Sequence, residues 1–139
     1  MGKVLFVSSD EYAARFVKLL IRKLNDWEVA LSNCAIGAIS AAKKGDTDVI
    51  VINSLELIKG EMQKIELELK RITEFHHNAL MALAHIKKIN PDQRVIFMSD
   101  EPEMIRNFCK TFGVEAILEI PSMNLVKKLA ELIFNPQIN

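Results

Sequence analysis

Cysteine is nearly absent: the 139 residues contain two, Cys34 and Cys109, far apart in the chain. So sparse a usage excludes a disulfide scaffold and predicts reduced, partly buried thiols on different helices. A net charge is missing as well. Lys plus Arg equals Asp plus Glu at 18 each with His neutral, so charge alone does not recruit nucleic acid, which needs a basic excess or face. No uncharged apolar run approaches the ~20 residues that span a bilayer. Met1-Gly2-Lys3 leads directly into an apolar segment, without the hydrophobic stretch of a secretory signal. No membrane association and a cytoplasmic location are expected. No glycine-rich phosphate loop is present, which leaves little basis for nucleotide binding. What remains is ordinary globular material, 50% hydrophobic and 26% charged, enough for one domain with a real core.

The order of elements is informative. Val4-Leu5-Phe6-Val7 is a continuous apolar run, as expected of a strand buried on both faces. Ser8-Ser9-Asp10 supplies helix-capping side chains, and residues 11–24 carry a helical period at Phe16, Leu19, Leu20 and Leu24. Asn25-Asp26 breaks that helix. Trp27 to Leu31 reads as a strand, and Ala35 to Lys44 as a helix closed by Gly45. Asp48 to Asn53 is a third strand, rich in β-branched residues. Val95 to Met98 makes a fourth, and Ala116 to Leu118 with Ile120 a fifth. Helices are expected at about 102–112, with Pro102 in its first turn and Gly113 at its end, and at about 123–134. Alternation of buried strands with amphipathic helices implies an α/β fold whose parallel sheet is covered on both faces. For five units the flavodoxin-like, doubly wound five-stranded order 2-1-3-4-5 is expected, with function at the carboxyl ends of the strands.

One stretch exceeds a plain domain of this class. Between Asn53 and Pro91 there is no proline and one glycine, Gly60, and apolar residues recur mostly three or four apart from Met62 to Ile86. The spacing predicts a helix of about 28 residues, roughly 42 Å long. Its later part, about 79–89, has a sheet to cover. Its earlier part exposes Met62, Ile65, Leu69 and Ile72, an apolar stripe that predicts a partner site.

The residues resemble those of response-regulator receiver domains, over about 3–134. Lys3 to Asp10 is similar to the family's first strand and the acidic pair that follows it. Asp48 to Asn53 resembles the third strand, which normally ends in the phosphorylated Asp. Ile86 to Asp92 followed by Val95 to Ser99 resembles the approach to the switch Ser/Thr, and Gly113 to Pro121 the segment ending in Lys-Pro. The resemblance implies a receiver-like (CheY-like) domain over 1–139, with about 58–76 inserted as an N-terminal extension of the third helix and 135–139 a tail. The departures fall on the chemistry. Ser8 and Ser9 stand where the acidic pair would hold Mg²⁺, a hard ion that requires carboxylate oxygens. Asn53 stands at the acceptor, and a neutral amide forms no acyl phosphate. Ile120 replaces the Lys, and Ile117 the aromatic switch. Ser99 and Pro121 match. Asp10 is an acid that family members often carry beside the pair. Asp100 and Glu56 lie in adjacent loops, too few for a hard-cation site.

Three functions are compatible with these residues. The first is a pseudo-receiver of two-component type, not phosphorylated by the Asp mechanism, without enzymatic activity, metal or cofactor. It would act through a protein partner or a homodimer on the long third helix. The second is a sensor of a small ligand or anion, or an enzyme, at the neutral cluster Ser8, Ser9, Asn53, Ser54 and Ser99 beside helix N-termini. The third is a receiver domain from the N-terminal part of a larger regulator. Glu74-Phe75-His76-His77 contains Glu-x-x-His, but one helix cannot supply the repeated motif of a di-iron bundle. His76, His77 and His85 therefore read as ordinary helix side chains.

Overall fold

The structure, a computed structural model, describes residues 2–8, 12–53 and 69–136; for Ala35 and for 69–78 it describes the backbone only. Five strands, β1 (Lys3–Val7), β2 (Glu28–Ser32), β3 (Val49–Asn53), β4 (Arg94–Ser99) and β5 (Ala116–Glu119), form one parallel sheet in the order β2-β1-β3-β4-β5. The described helices are α1 (Ala13–Leu24), α2 (Ala35–Lys44), α3 (Leu69–Ile89), α4 (Pro102–Thr111) and α5 (Leu125–Phe134). The expected fold class and strand order are those observed.

Alternation along each strand divides the core in two, because successive side chains point to opposite faces. Val4, Phe6, Val49, Val51, Ile96 and Met98 face α1 and α5, where Leu20, Leu24, Leu129 and Ile133 meet them. Leu5, Val7, Ile50, Ile52, Val95 and Phe97 face the other side, under Ala38 of α2, Leu83 and Ile86 of α3 and Ile105 of α4. The three inner strands are therefore apolar except at their ends (Lys3, Asn53, Arg94 and Ser99), whereas β2 and β5, at the edges, are half-buried or partly exposed. Arg94 opens β4 with a polar clasp. Its guanidinium holds Glu115 through two hydrogen bonds, at 2.6 and 2.9 Å, and donates to the carbonyls of Leu132 and Ile133 at the end of α5. That clasp ties the last helix to the sheet by satisfying carbonyls that a helix end leaves unpaired.

Several boundaries differ from the sequence expectations. The first helix begins at Ala13, not Glu11, and its N-cap residue Tyr12 makes no side-chain capping bond. The capping expected of Ser8-Ser9-Asp10 falls largely outside the described residues, since Ser9 and Asp10 are not among them. Cys109 is buried as expected, but Cys34 is exposed at the start of α2. The described third helix has 21 residues, roughly 32 Å at 1.5 Å per residue. The expected 28-residue helix reaches into 54–68, outside the described residues. Ala79, Ala82, Leu83 and Ile86 are buried, so its later half covers the sheet as anticipated. Met62 and Ile65 lie outside the described residues. Leu69 and Ile72 are on α3, and their side chains lie outside the description.

Candidate functional site at the strand ends

Parallel register brings the carboxyl ends of the inner strands level. Val7 pairs with Ile52, Asn53 with Met98, and Ser99 with Glu119. Two backbone bonds extend the alignment past the strands: Ser8 N donates to Ser32 O, and Ile120 N donates to Ser99 O, each at 2.9 Å. Ser8, Asn53, Ser99 and Ile120 therefore share one end of the sheet, as the sequence suggested.

The described side chains of the cluster, Ser8, Asn53, Ser99 and Ile120, are buried and neutral. Ser8 is 2% exposed, Asn53 7% and Ser99 0%. The Ser99 hydroxyl accepts the backbone N–H of Glu101 at 3.0 Å. It thereby shapes the turn into α4, where Pro102 occupies the first turn at no hydrogen-bonding cost. Asn53 continues the row of Val49 and Val51, whereas Ser99 continues that of Val95 and Phe97, so alternation directs the two side chains to opposite faces. They are neighbours in register without being hydrogen-bonded to each other.

Asn53 carries the unusual feature. Its Oδ1, like Gln93 Oε1 at the other end of the sheet, is buried and has no hydrogen-bond partner among the described residues. Burying such an acceptor costs about 1–3 kcal/mol, and native interiors rarely leave one unpaired. Ile120 follows β5, on the other side of β4 from Asn53. It is 7% exposed and belongs to the core that holds Phe6, Met98 and Leu129. No cation is offered from that position. Asp100 is exposed, and among the described residues no group of three or more His, Cys, Asp or Glu side chains is placed to hold a metal ion. Asp10, Ser9, Ser54 and Glu56 lie outside the described residues. His85 is exposed on α3. Ile117 is half-buried on β5, among the side chains packed beneath α4.

No known protein-family profile matches the chain, and no curated protein matches it by sequence. Solved structures do match. The response-regulator domain of CheB from Thermotoga maritima superposes with a TM-score of 0.72 at 20% identity, over 100% of this chain and 98% of that one. A response-regulator receiver domain from Clostridium thermocellum gives 0.70 at 17% identity, over 97% and 93%. The chain has the fold of a response-regulator receiver domain. A third match, at TM-score 0.68 and 15% identity over 96% of this chain and 52% of the other, is described as one of a family of streptococcal redox sensors evolved from two-component response regulators. Identities this low establish the receiver fold, and the chemistry must be read from this chain's own residues.

Two features were beyond the reach of sequence reasoning. The first is the unpaired Asn53 Oδ1, which depends on the neighbours that tertiary packing supplies. The second is the Arg94–Glu115 clasp. A basic residue opening an apolar strand, and an acid one residue before the next strand, were its signals.

Proposed function

We propose that the chain is a pseudo-receiver, a signalling module of two-component type that is not phosphorylated by the Asp mechanism and works by protein–protein contact. The single observation that supports it is the buried, neutral strand end, where Asn53 presents an unpaired amide oxygen and Ile120 is packed into the core. Acyl phosphate formation needs a carboxylate nucleophile, a divalent cation to shield the incoming phosphoryl oxygens, and a cation to stabilise the product. Ser8, Asn53 and Ile120 provide none of these. A protein of the same fold described as a redox sensor evolved from response regulators supports the reading that the scaffold takes other triggers.

Contact is proposed to run through the third helix, in keeping with the apolar stripe Met62, Ile65, Leu69 and Ile72. A homodimer or a partner helix would cover it. A cytoplasmic setting and the absence of enzymatic activity belong to the same proposal. No described helix is long and apolar enough to cross a membrane.

Two experiments test this. Incubation with acetyl phosphate, or with beryllofluoride and Mg²⁺, is expected to leave the intact mass and the amide spectrum unchanged. A phosphoryl adduct at any strand-end residue would refute the reading. Size-exclusion chromatography with light scattering is expected to show a dimer that becomes a monomer when 58–76 are deleted. A monomer in both cases would remove the dimer and leave a hetero-partner, to be tested with the intact chain as bait.

A further inference from the structure

At the opposite end of the sheet, below α4, a cleft of about 940 Å³ opens beside the edge strand β5. Its volume falls within the roughly 300–1,000 Å³ typical of small-molecule sites. Val114, Ala116 and Ile117 give it an apolar wall. Four cations, Lys87, Arg94, Arg106 and Lys110, face two carboxylates, Asp92 and Glu115, around the rest.

The cations are not equivalent. Arg94 is engaged by Glu115 and by the end of α5. Arg106 is held by Glu103 of its own helix at 2.7 Å. The Lys87 ammonium donates to the carbonyls of Pro91 and Gln93. It lies 3.9 Å from where a Cβ on Gly113 would stand, so the glycine leaves its surroundings open. Burial lowers the Lys87 pKa even though Asp92 and Glu115 oppose the shift. Its charge is thus incompletely compensated. Lys110 has no ion pair among the described residues.

We infer that this cleft binds a small organic anion, a carboxylate or phosphate monoester with an apolar body. The acidic group would sit between Lys110 and Lys87, and the apolar body against Val114 and Ile117. An anion there gains a charge-assisted bond from Lys110 and relieves the desolvated Lys87. A cationic ligand would meet an excess of like charge. The site is independent of the strand-end cluster and of the reading given above for it.

The test is an amide-resolved NMR titration of the full chain with phenyl phosphate, with benzoate and with neutral benzamide. One or both anions are expected to give saturable shifts at Lys110, Gly113 and Val114, the stronger arm identifying the acidic group, while benzamide gives none. Lys110→Glu is expected to keep a dispersed spectrum, because the side chain is exposed. It should weaken binding by about tenfold or more, which is about 1.4 kcal/mol. Lys110→Arg should retain binding to within about threefold, about 0.65 kcal/mol. Any of four results would overturn the inference: no saturable shift with either anion, equal shifts with benzamide, shifts unaffected by Lys110→Glu, or shifts confined to Ser8, Asn53 and Ser99.

Discussion

Placing a carboxylate at the end of β3 by Asn53→Asp tests whether these strand ends can hold a divalent cation. Asn53 is 7% exposed, its Oδ1 is unpaired, and no described Lys or Arg hydrogen-bonds it. With no counter-charge among the described residues, a carboxylate there is desolvated, which raises its pKa by about two units from the usual ~3.9. A folded-state pKa above the unfolded one means that the native state holds its proton longer. Stability is therefore lost as pH rises between about 4 and 6, and the penalty is complete above that window. Two units correspond to about 2.7 kcal/mol near pH 8, falling to about 1 kcal/mol near pH 4.5. The measurement is urea unfolding of the variant and the parent at both pH values, each with and without about 10 mM MgCl₂. A latent site with a dissociation constant of about 0.1 mM would recover about 2.7 kcal/mol on adding that Mg²⁺. The structure predicts recovery below about 0.5 kcal/mol, since Ser8 supplies no carboxylate and Ile120 no cation. Equal stability of variant and parent near pH 8, or full rescue by Mg²⁺, would refute the reasoning.

Other perturbations probe the same architecture. Ile120→Lys places an ammonium among Phe6, Met98 and Leu129 and should cost about 2–4 kcal/mol in chemical denaturation; a neutral result would mean that the position opens freely to solvent. Arg94→Met strands a buried Glu115 and two α5 carbonyls, for a loss of about 3 kcal/mol, and a change under about 1 kcal/mol would show the clasp to be incidental. Burial pushes the Cys109 thiol up from 9.0 to about 11, so the unfolded thiol ionises first and stability falls as pH rises through that interval. Unfolding near pH 8 and near pH 10 should therefore show an alkaline loss about 1 kcal/mol larger in the parent than in Cys109→Ala, and identical slopes would show that the thiol does not titrate on unfolding.

Much of the site was legible because it lies at the ends of strongly patterned strands. Val49 to Ile52 and Val95 to Met98 are apolar runs, and the residues that follow them must emerge together once the strands are parallel, which brought Asn53 and Ser99 into one neighbourhood. The fate of each side chain was not legible. Ser99 is used up by the Glu101 N–H and Ile120 is absorbed into the α1–α5 side of the core. Such roles depend on what packs opposite, and no local spacing carries that information. Cys34 illustrates the same limit: scarcity of cysteine predicted a half-buried thiol, yet its place at the head of α2 leaves it exposed.

By itself the sequence determined the α/β class, the strand order and the neutral identities of Ser8, Asn53 and Ile120 at the strand ends. Those follow from periodicity and residue identity, which act over a few neighbouring positions. Tertiary structure alone decided that the Asn53 oxygen is left unpaired, that Arg94 clamps Glu115 and the end of α5, and that Lys87 and Lys110 converge on one cleft. These depend on residues brought together across 21 to 45 positions of sequence. Burial then sets the strength of each interaction, because charge and hydrogen bonding gain their force only where water has been removed.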